Sequence, residues 1–368
     1  MPLVAHNKLP TFERLRKEGQ TILPPGQAAK QDIRGLHIGF LNMMPDAALQ
    51  ATERQFFRLI GSSNPIAQFV VHSFTLPEIK RGEKAQKHID SHYESFEKIQ
   101  EIGLDALIIT GANVTQPELS KEVFWEPLSK VFHWAHENVT STLCLCLATH
   151  ASLQLHHNQP RRHLKHKRWG VFSHRVCNHQ HPLVYGINTR FDVPHSRFNQ
   201  VDRSQFEEAG LHILAESQQA GVQMAVSKDG FRTIYFQGHP EYDSISLLKE
   251  YKREVGLFAI AYNKSKQGDE LDYPPFPANY LNTQTQAIFN EYQYRLITAI
   301  DTNQDIPVFP EALVLDHIDN SWHDTAAAIM ANWMGLVYQV TNMDRNSPFM
   351  EGIDPEDPLG LKNKKPRS

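Results

Sequence analysis

The stretch TSTLCLCLATHASLQLHH, residues 140–157, decides the fold. Its first part, Thr140–Cys146, ends in the apolar run LCLC and is typical of a buried strand, and from about Ala148 to His157 the pattern indicates a helix. A strand that passes directly into a helix begins a βα unit, and such units build parallel sheets with helices on both faces. We therefore predict an α/β fold.

The same alternation continues on both sides of this stretch. Further strands are predicted at 36–42, 68–74, 105–110 and 231–236, and helices at 47–60, 93–102, 121–138, 244–261, 283–301 and 321–338. Residues 160–235 differ, because they contain short β-like runs with turn residues between them. The predicted architecture is a mostly parallel sheet with helices on both faces, a β-rich section and C-terminal helices.

Composition changes at the two ends of the chain. Residues 1–34 are polar and interrupted by proline, which predicts an N-terminal arm rather than a domain. Residues 35–342 are predicted to form a single α/β domain. Residues 343–368 are charged and rich in proline and glycine, so we expect a C-terminal tail that is partly disordered.

Charge and cysteine content exclude several classes of protein. The 368 residues carry a net charge of −4, so no overall field attracts nucleic acid or an anionic membrane. No apolar run approaches the ~18 residues of a membrane span, and the first residues lack the order of a signal peptide. The three cysteines form neither a disulfide framework nor a zinc motif, and they predict a reduced, cytoplasmic protein.

Cys146 stands at the carboxyl end of its predicted strand, directly before a helix. A helix N-terminus favours the thiolate form of a cysteine, and the N–H group of Leu147 is placed to bind an oxyanion. Free cysteines are also common as small buried hydrophobic residues, so position alone leaves that alternative open. Cys144 and Cys177 are weaker candidates for a nucleophile.

His239 and Glu241 follow the predicted strand at 231–236, on either side of Pro240. Residues two apart in an extended segment project to the same side, so the carboxylate can orient the imidazole. A His-x-Glu pair alone is common in solvated turns. Because the carboxyl ends of parallel strands share one edge of the sheet, we expect this pair to lie near Cys146 as the base of a nucleophilic cysteine.

This combination resembles the class I glutamine amidotransferase-like superfamily, whose fold is flavodoxin-like. Within it the chain is most similar to a divergent member of the homoserine O-acyltransferase family, the homoserine O-succinyltransferases and O-acetyltransferases of methionine biosynthesis. The motifs that carry the resemblance are LNMMP (41–45), TERQ (52–55), LIITGA (107–112), TSTL (140–143), GVFSHRV (170–176), PHSR (194–197), QGHPEYD (237–243), NW (332–333) and VYQ (337–339).

The resemblance implies that Cys146 is the nucleophile, His239 its base and Glu241 the residue that orients His239. It also implies substrate-binding roles for Arg253, Lys167 and Ser196, with Arg253 on the acceptor carboxylate. The implied reaction moves an acyl group from acyl-coenzyme A, through an acyl-cysteine, to the hydroxyl group of L-homoserine. It implies no metal or organic cofactor, and it implies a homodimer.

Three departures from the family pattern concern the pocket. Ala148 replaces a glycine two residues after the nucleophile, and we expect it to strain the turn if φ is positive there. Family members have a lysine after the Met-Pro pair, whereas this chain has Asp46 and Ala47 there, so a positive charge near the pocket is missing. At the position of Thr115, family members that transfer succinyl groups have glycine and those that transfer acetyl groups have glutamate. The Thr115 hydroxyl can donate a hydrogen bond, which favours a succinyl group as the one transferred. The altered pocket also leaves L-serine open as the acceptor.

Other readings remain at this stage. A glutaminase of the amidotransferase type shares the nucleophile and the His-Glu pair, and a non-catalytic protein on the same scaffold fits the lost glycine and lysine. The many histidines between 156 and 181 have no ligand spacing, so we predict no metal site. The basic residues Arg161, Arg162 and Lys165 are candidates for binding the phosphates of coenzyme A.

Overall fold

The computed structural model describes residues 3–64, 66–264 and 271–362. These residues form one sheet of eleven strands. The strands are β1 (Leu3–Val4), β2 (Ile22–Leu23), β3 (Gly35–Leu41), β4 (Gln68–Phe74), β5 (Ala106–Ile109), β6 (Ser141–Leu145), β7 (Arg162–Val176), β8 (Arg190–Gln200), β9 (His212–Ser217), β10 (Gly221–Val226) and β11 (Thr233–Phe236).

The strand order is β2-β1-β4-β3-β5-β6-β11-β10-β9-β7-β8. All neighbours from β2 to β11 pair in parallel, whereas β11, β10, β9, β7 and β8 pair antiparallel. The central order β4-β3-β5-β6-β11 is the 2-1-3-4-5 order of flavodoxin-like folds. The predicted mostly parallel α/β sheet with an appended β-rich section is therefore confirmed.

Helices cover both faces of the sheet. They are α1 (Pro10–Lys17), α2 (Pro25–Ala28), α3 (Asp46–Ser62), α4 (Glu83–His92), α5 (Phe96–Ile102), α6 (Trp125–Asn138), α7 (Leu147–His157), α8 (Arg203–Glu208), α9 (Ser246–Lys264), α10 (Thr283–Asp301), α11 (Glu311–Val314) and α12 (His323–Val340). Among the described residues, no helix is long and apolar enough to cross a membrane.

The strand β6 shows why both faces are apolar. Leu143 and Leu145 pack into the core that includes α3 and α12, whereas Cys144 between them packs into the core beneath α6 and α7. Alternate side chains of a strand point to opposite faces, so a strand with a helix layer on each side carries apolar residues on both faces. The C-terminal helices α9 and α10 form a third core against β7.

The two ends of the chain pack onto this sheet. Residues 3–34 add β1 and β2 to its edge, and Phe12 and Leu15 of α1 are buried in the main core. Asp357 accepts hydrogen bonds from the backbone of Leu361 and Lys362. Part of the predicted disordered tail, residues 363–368, lies outside the described residues, and the three-part division of the chain stays a prediction.

Gly170 lets the proline-rich loop at residues 272–281 approach β7. The loop joins the strand through hydrogen bonds from the Ala278 N–H to the Trp169 carbonyl and from the Val171 N–H to the Ala278 carbonyl. A Cβ atom on Gly170 would lie 2.2 Å from the Ala278 oxygen, and the φ of +139° disfavours any other residue. Only glycine fits this contact.

We predict that Gly170→Ala lowers the free energy of unfolding by about 2–5 kcal/mol, because strain and a backbone clash add. The matched control is Gly26→Ala, where nothing lies within 4 Å and φ is not positive. Denaturant unfolding of both variants measures the difference. Equal stability of Gly170→Ala and Gly26→Ala would contradict the prediction.

Candidate active site

The parallel pairing of β6 with β11 brings the predicted catalytic residues together. Leu145 pairs with Phe236 at the carboxyl ends of these strands, and Cys146 and His239 follow them. The Cys146 N–H donates to the Phe236 carbonyl at 2.7 Å. The expected shared edge is therefore present in the structure.

Cys146 forms a sharp turn between β6 and α7. Its φ is +51° and its ψ is −107°, a conformation that non-glycine residues rarely adopt, and it directly precedes the first helical residue, Leu147. The strain sits on the predicted nucleophile itself, as at other functional turns. The expected strain at Ala148 is absent, because Ala148 lies inside α7 with a negative φ.

His239 and Glu241 form a buried pair. The Nδ1 atom of His239 lies 2.8 Å from the Glu241 carboxylate, so Nδ1–H donates to Glu241 and Nε2 is left for Cys146. Burial lowers the pKa of His239, but attraction to Glu241 and Cys146, together with hydrogen bonding to both, outweighs it and raises the pKa well above 6.5. The geometry is that of a cysteine, a base and an orienting carboxylate.

The loop after β5 closes the other side of the nucleophile. A Cβ atom on Gly111 would lie 3.6 Å from Cys146 Cβ and 3.9 Å from the Leu147 nitrogen. Sequence reasoning quoted Gly111 only as part of a motif and assigned it no role. The oxyanion role of the Leu147 N–H stays a prediction, and Gly111 keeps the space in front of it open.

Three polar side chains converge on Glu250, a residue of α9 that the sequence analysis missed. Ser196 donates to Glu250 at 2.6 Å, Tyr242 donates at 2.8 Å, and the Lys167 ammonium lies 3.4 Å away. The ring of Tyr242 also stacks on His239, with 4.5 Å between centroids. The predicted substrate residues Ser196 and Lys167 are thus brought together beside the predicted base.

Arg253 lies one helical turn after Glu250 on α9. Its side chain is 54% exposed and donates to Glu254 at 2.7 Å. Burial lowers the pKa of Arg253, but the hydrogen bond to Glu254 and attraction to Glu254, Glu250 and Tyr242 outweigh burial. The pKa of Arg253 is therefore raised above its ordinary value. The guanidinium therefore belongs to the same cluster and faces solvent on one side, where a ligand carboxylate has access.

Thr115 is not free in the way we expected. Its hydroxyl donates to Glu122 at 3.2 Å and its N–H donates to the same carboxylate at 2.5 Å. The hydroxyl hydrogen is thus already used, which corrects the expectation that it is available to a ligand. Arg161 lies nearby: burial lowers its pKa, and attraction to Glu122 and Cys146 opposes that effect.

Arg161 directly precedes β7, which begins at Arg162. Arg162 is paired with Asp202 at 2.8 Å. Arg161 donates to the Gln116 and Pro117 carbonyls, and its Nε atom is buried without a hydrogen-bond partner. Of the two arginines, Arg161 is the one whose pKa is affected by Cys146.

A cavity of about 690 Å³ lies next to this edge and includes Asp46, Ala47, Arg81, Ala112 and Thr115 in its wall. Asp46 accepts from the Gly82 N–H at 2.7 Å and lies 3.3 Å from the Arg81 guanidinium. Arg81 therefore contributes a positive charge to this wall, and it is paired with Asp46. Sequence reasoning could not find it, because Arg81 lies in a different loop.

The remaining cysteines do not compete with Cys146. Cys144 is fully buried, and burial raises the pKa of its thiol. Cys177 is exposed, and burial of part of the side chain together with Glu216 raises its pKa. Neither environment favours a thiolate.

We predict that Glu241→Gln lowers kcat/KM about 10²–10⁴-fold, because His239 loses its orienting charge.

The His239 pKa should fall toward 6.5 in the same variant. A raised folded pKa stabilises the protein below the unfolded pKa, and that stability is lost as pH rises through the folded value. The Tm difference between wild type and variant should therefore be largest near about pH 6 and shrink at higher pH. A pH-independent difference would contradict this, and Glu207→Gln is the exposed control.

Comparison with known proteins identifies the family. The sequence model of the homoserine O-succinyltransferase family matches residues 2–343. The chain is 62% identical to the homoserine O-succinyltransferase of Nitrosococcus oceani, over 98% of this chain and 99% of that protein. It is 62% identical to the homoserine O-succinyltransferase of Allochromatium vinosum and 50% identical to that of Cardiobacterium hominis. Each of these matches covers 98% of this chain and 99% of the related protein.

The solved structures are more distant. A glutamine amidotransferase from Thermotoga maritima superposes with a TM-score of 0.44 and 10% identity, over 83% of this chain and 98% of that one. The assignment rests on the sequence relatives and not on this likeness. The chain belongs to the homoserine O-succinyltransferase family of acyltransferases.

Proposed function

We propose that this protein transfers a succinyl group from succinyl-coenzyme A to the hydroxyl group of L-homoserine, as its relatives' names state for them. The observation that carries the proposal is the cluster at one sheet edge. Cys146, His239 and Glu241 form a nucleophile with its base, and Glu250 and Arg253 stand beside them with the charges that an amino-acid acceptor requires.

In the first step, the Cys146 thiolate attacks the thioester carbon of succinyl-coenzyme A. The N–H of Leu147 stabilises the oxyanion that develops on the carbonyl oxygen. The coenzyme A thiolate leaves and takes the proton held on His239, and succinyl-cysteine remains. The raised pKa of His239 supports this step, since the base must already hold a proton when the leaving group departs.

In the second step, His239 removes the proton from the acceptor hydroxyl, whose oxygen attacks the succinyl-cysteine. The carbon–sulfur bond breaks, the O-succinyl ester forms, and the thiolate is regenerated beside the imidazolium. Glu241 stabilises the imidazolium through the 2.8 Å hydrogen bond. All of these steps use side chains and backbone of the chain, so we propose that acyl transfer requires no metal or organic cofactor.

Glu250 and Arg253 fit the two ends of an amino acid. A carboxylate accepts about four hydrogen bonds, and Glu250 accepts from two hydroxyl groups and lies near one ammonium, which leaves room for the acceptor ammonium. The Arg253 guanidinium suits the acceptor carboxylate, because its planar fork makes two parallel bonds. Tyr242 links this subsite to His239, so the acceptor hydroxyl is directed toward the base.

Arg161 favours succinyl over acetyl as the acyl group. Its guanidinium interacts with both Cys146 and Glu122, and its Nε lacks a partner within the described protein. Only the succinyl group carries a distal carboxylate that can pair with this cation. Thr115 with Glu122 forms the neighbouring wall.

The experiment that tests the proposal is intact-protein mass spectrometry. We expect a succinyl adduct on Cys146 after mixing with succinyl-coenzyme A, and its discharge by L-homoserine rather than L-serine. Cys146→Ser should abolish the adduct. An adduct from acetyl-coenzyme A alone, discharge by serine alone, or glutamine hydrolysis without any adduct would each reject the proposal, the last in favour of a glutaminase.

We predict that Glu250→Gln raises the KM for homoserine about 10- to 100-fold, because the acceptor ammonium loses an ionic partner. Formation of the succinyl-enzyme, measured without acceptor, should be almost unchanged. The matched control is Lys252→Gln on the same helix, whose ammonium binds Glu311 at the surface. Slower acylation with an unchanged KM would contradict the assignment.

The setting of the enzyme follows from the same proposal. O-succinylhomoserine is formed in methionine biosynthesis, and we propose that the chain acts there, in the cytoplasm and as a homodimer. The small net charge of −4 and the low number of cysteines, three in 368 residues, are consistent with a cytoplasmic setting.

A further inference from the structure

Two histidines and a glutamate meet at the edge of the sheet that is distant from the active site. His6 follows β1, His72 lies within β4, and Glu94 follows α4 and joins β4 through a hydrogen bond from its N–H to the Ser73 carbonyl. β4 lies three strands from β6, which corresponds to about 14 Å. This cluster takes no part in the proposed acyl transfer.

The three side chains have the geometry of metal ligands. One nitrogen of His6, one nitrogen of His72 and one oxygen of Glu94 all lie within 4.8 Å of one another. Tetrahedral ligands about 2.0–2.2 Å from one zinc ion lie roughly 3.3–3.6 Å apart, so the partly buried His6 ring must move closer to the other two ligand atoms by about 1 Å when the ion binds. His72 Nδ1 and Glu94 Oε2 are already 2.7 Å apart.

Neighbouring groups orient both imidazoles. His6 Nδ1 lies 3.3 Å from the Val4 carbonyl, to which it donates, and His6 Nε2 accepts from the Asn7 side-chain amide at 3.2 Å, a bond that the ion would replace. His72 Nε2 lies 2.9 Å from His37 Nδ1. A hydrogen bond from the His72 Nε2–H to His37 Nδ1 leaves His72 Nδ1 directed at Glu94. Ligating histidines are typically held in this way by their second nitrogen.

We propose that His6, His72 and Glu94 bind one Zn²⁺ ion that joins the N-terminal segment to β4. Two imidazoles and one carboxylate form a ligand set that zinc prefers, and water completes the tetrahedron. In the metal-bound form the ion replaces the proton between His72 and Glu94. The role of the ion is structural, because it ties a segment at the start of the chain to the sheet.

The test uses the full-length Cys146→Ser protein, in which the catalytic thiol cannot bind zinc. Zn²⁺ is titrated in competition with a chromophoric chelator, and Tm is measured with and without one equivalent of Zn²⁺. We expect one tight equivalent and a Zn²⁺-dependent rise in Tm. His6→Ala should remove both, and Glu94→Gln should weaken binding about tenfold or more. His179→Ala, which removes an exposed histidine elsewhere, should behave like the parent.

Two results would overturn the proposal. One is a parent protein that binds no tight equivalent. The other is His6→Ala and Glu94→Gln variants that bind zinc as the parent does, which would place the ion at other histidines. Failure here leaves the proposed acyl transfer untouched, because that proposal is tested by the succinyl adduct on Cys146.

Discussion

The parallel pairing of β6 with β11 is the interaction on which the site depends. The Phe236 carbonyl accepts the Cys146 N–H at 2.7 Å, so the last bond of this ladder holds the nucleophile turn against the strand that leads to His239. The turn itself is unfavourable, with a φ of +51° at a cysteine. It persists because β6 is buried on both faces and the first turns of α7 pack into the core on one of them.

A chain of ring and charge contacts then extends from the nucleophile to the acceptor subsite. Glu241 holds His239 from one side and Tyr242 stacks on its ring, while the Tyr242 hydroxyl reaches Glu250. The base and the proposed ammonium site are therefore positioned by two residues that follow one another in the chain. A change in the 239–243 turn moves both at once, so chemistry and acceptor binding are coupled through its backbone.

Much of this could be predicted from local sequence, for identifiable reasons. The predicted strand at 140–146 ends in four consecutive apolar residues, which is typical of a strand buried on both faces, and its bounds agree with those of β6 within one residue at each end. The shared edge of Cys146 and His239 follows from a rule about parallel strands and not from sequence separation. The strain expected for a positive φ at Ala148 does not occur, because the residue with the positive φ is Cys146. A pattern of residue types does not show which residue of the turn adopts the positive φ.

The sequence by itself determined the α/β class, the succession of strands and helices along the chain, and the candidate nucleophile with its base. These depend on periodicity and on where strands end. Only the tertiary structure decided which charges surround them. The contacts that matter here join separate loops and helices: Glu250 with Ser196, Glu122 with Thr115, and Arg81 with Asp46. Such contacts depend on strand order and loop conformation, which arise from the packing of the whole chain and leave no local pattern to read.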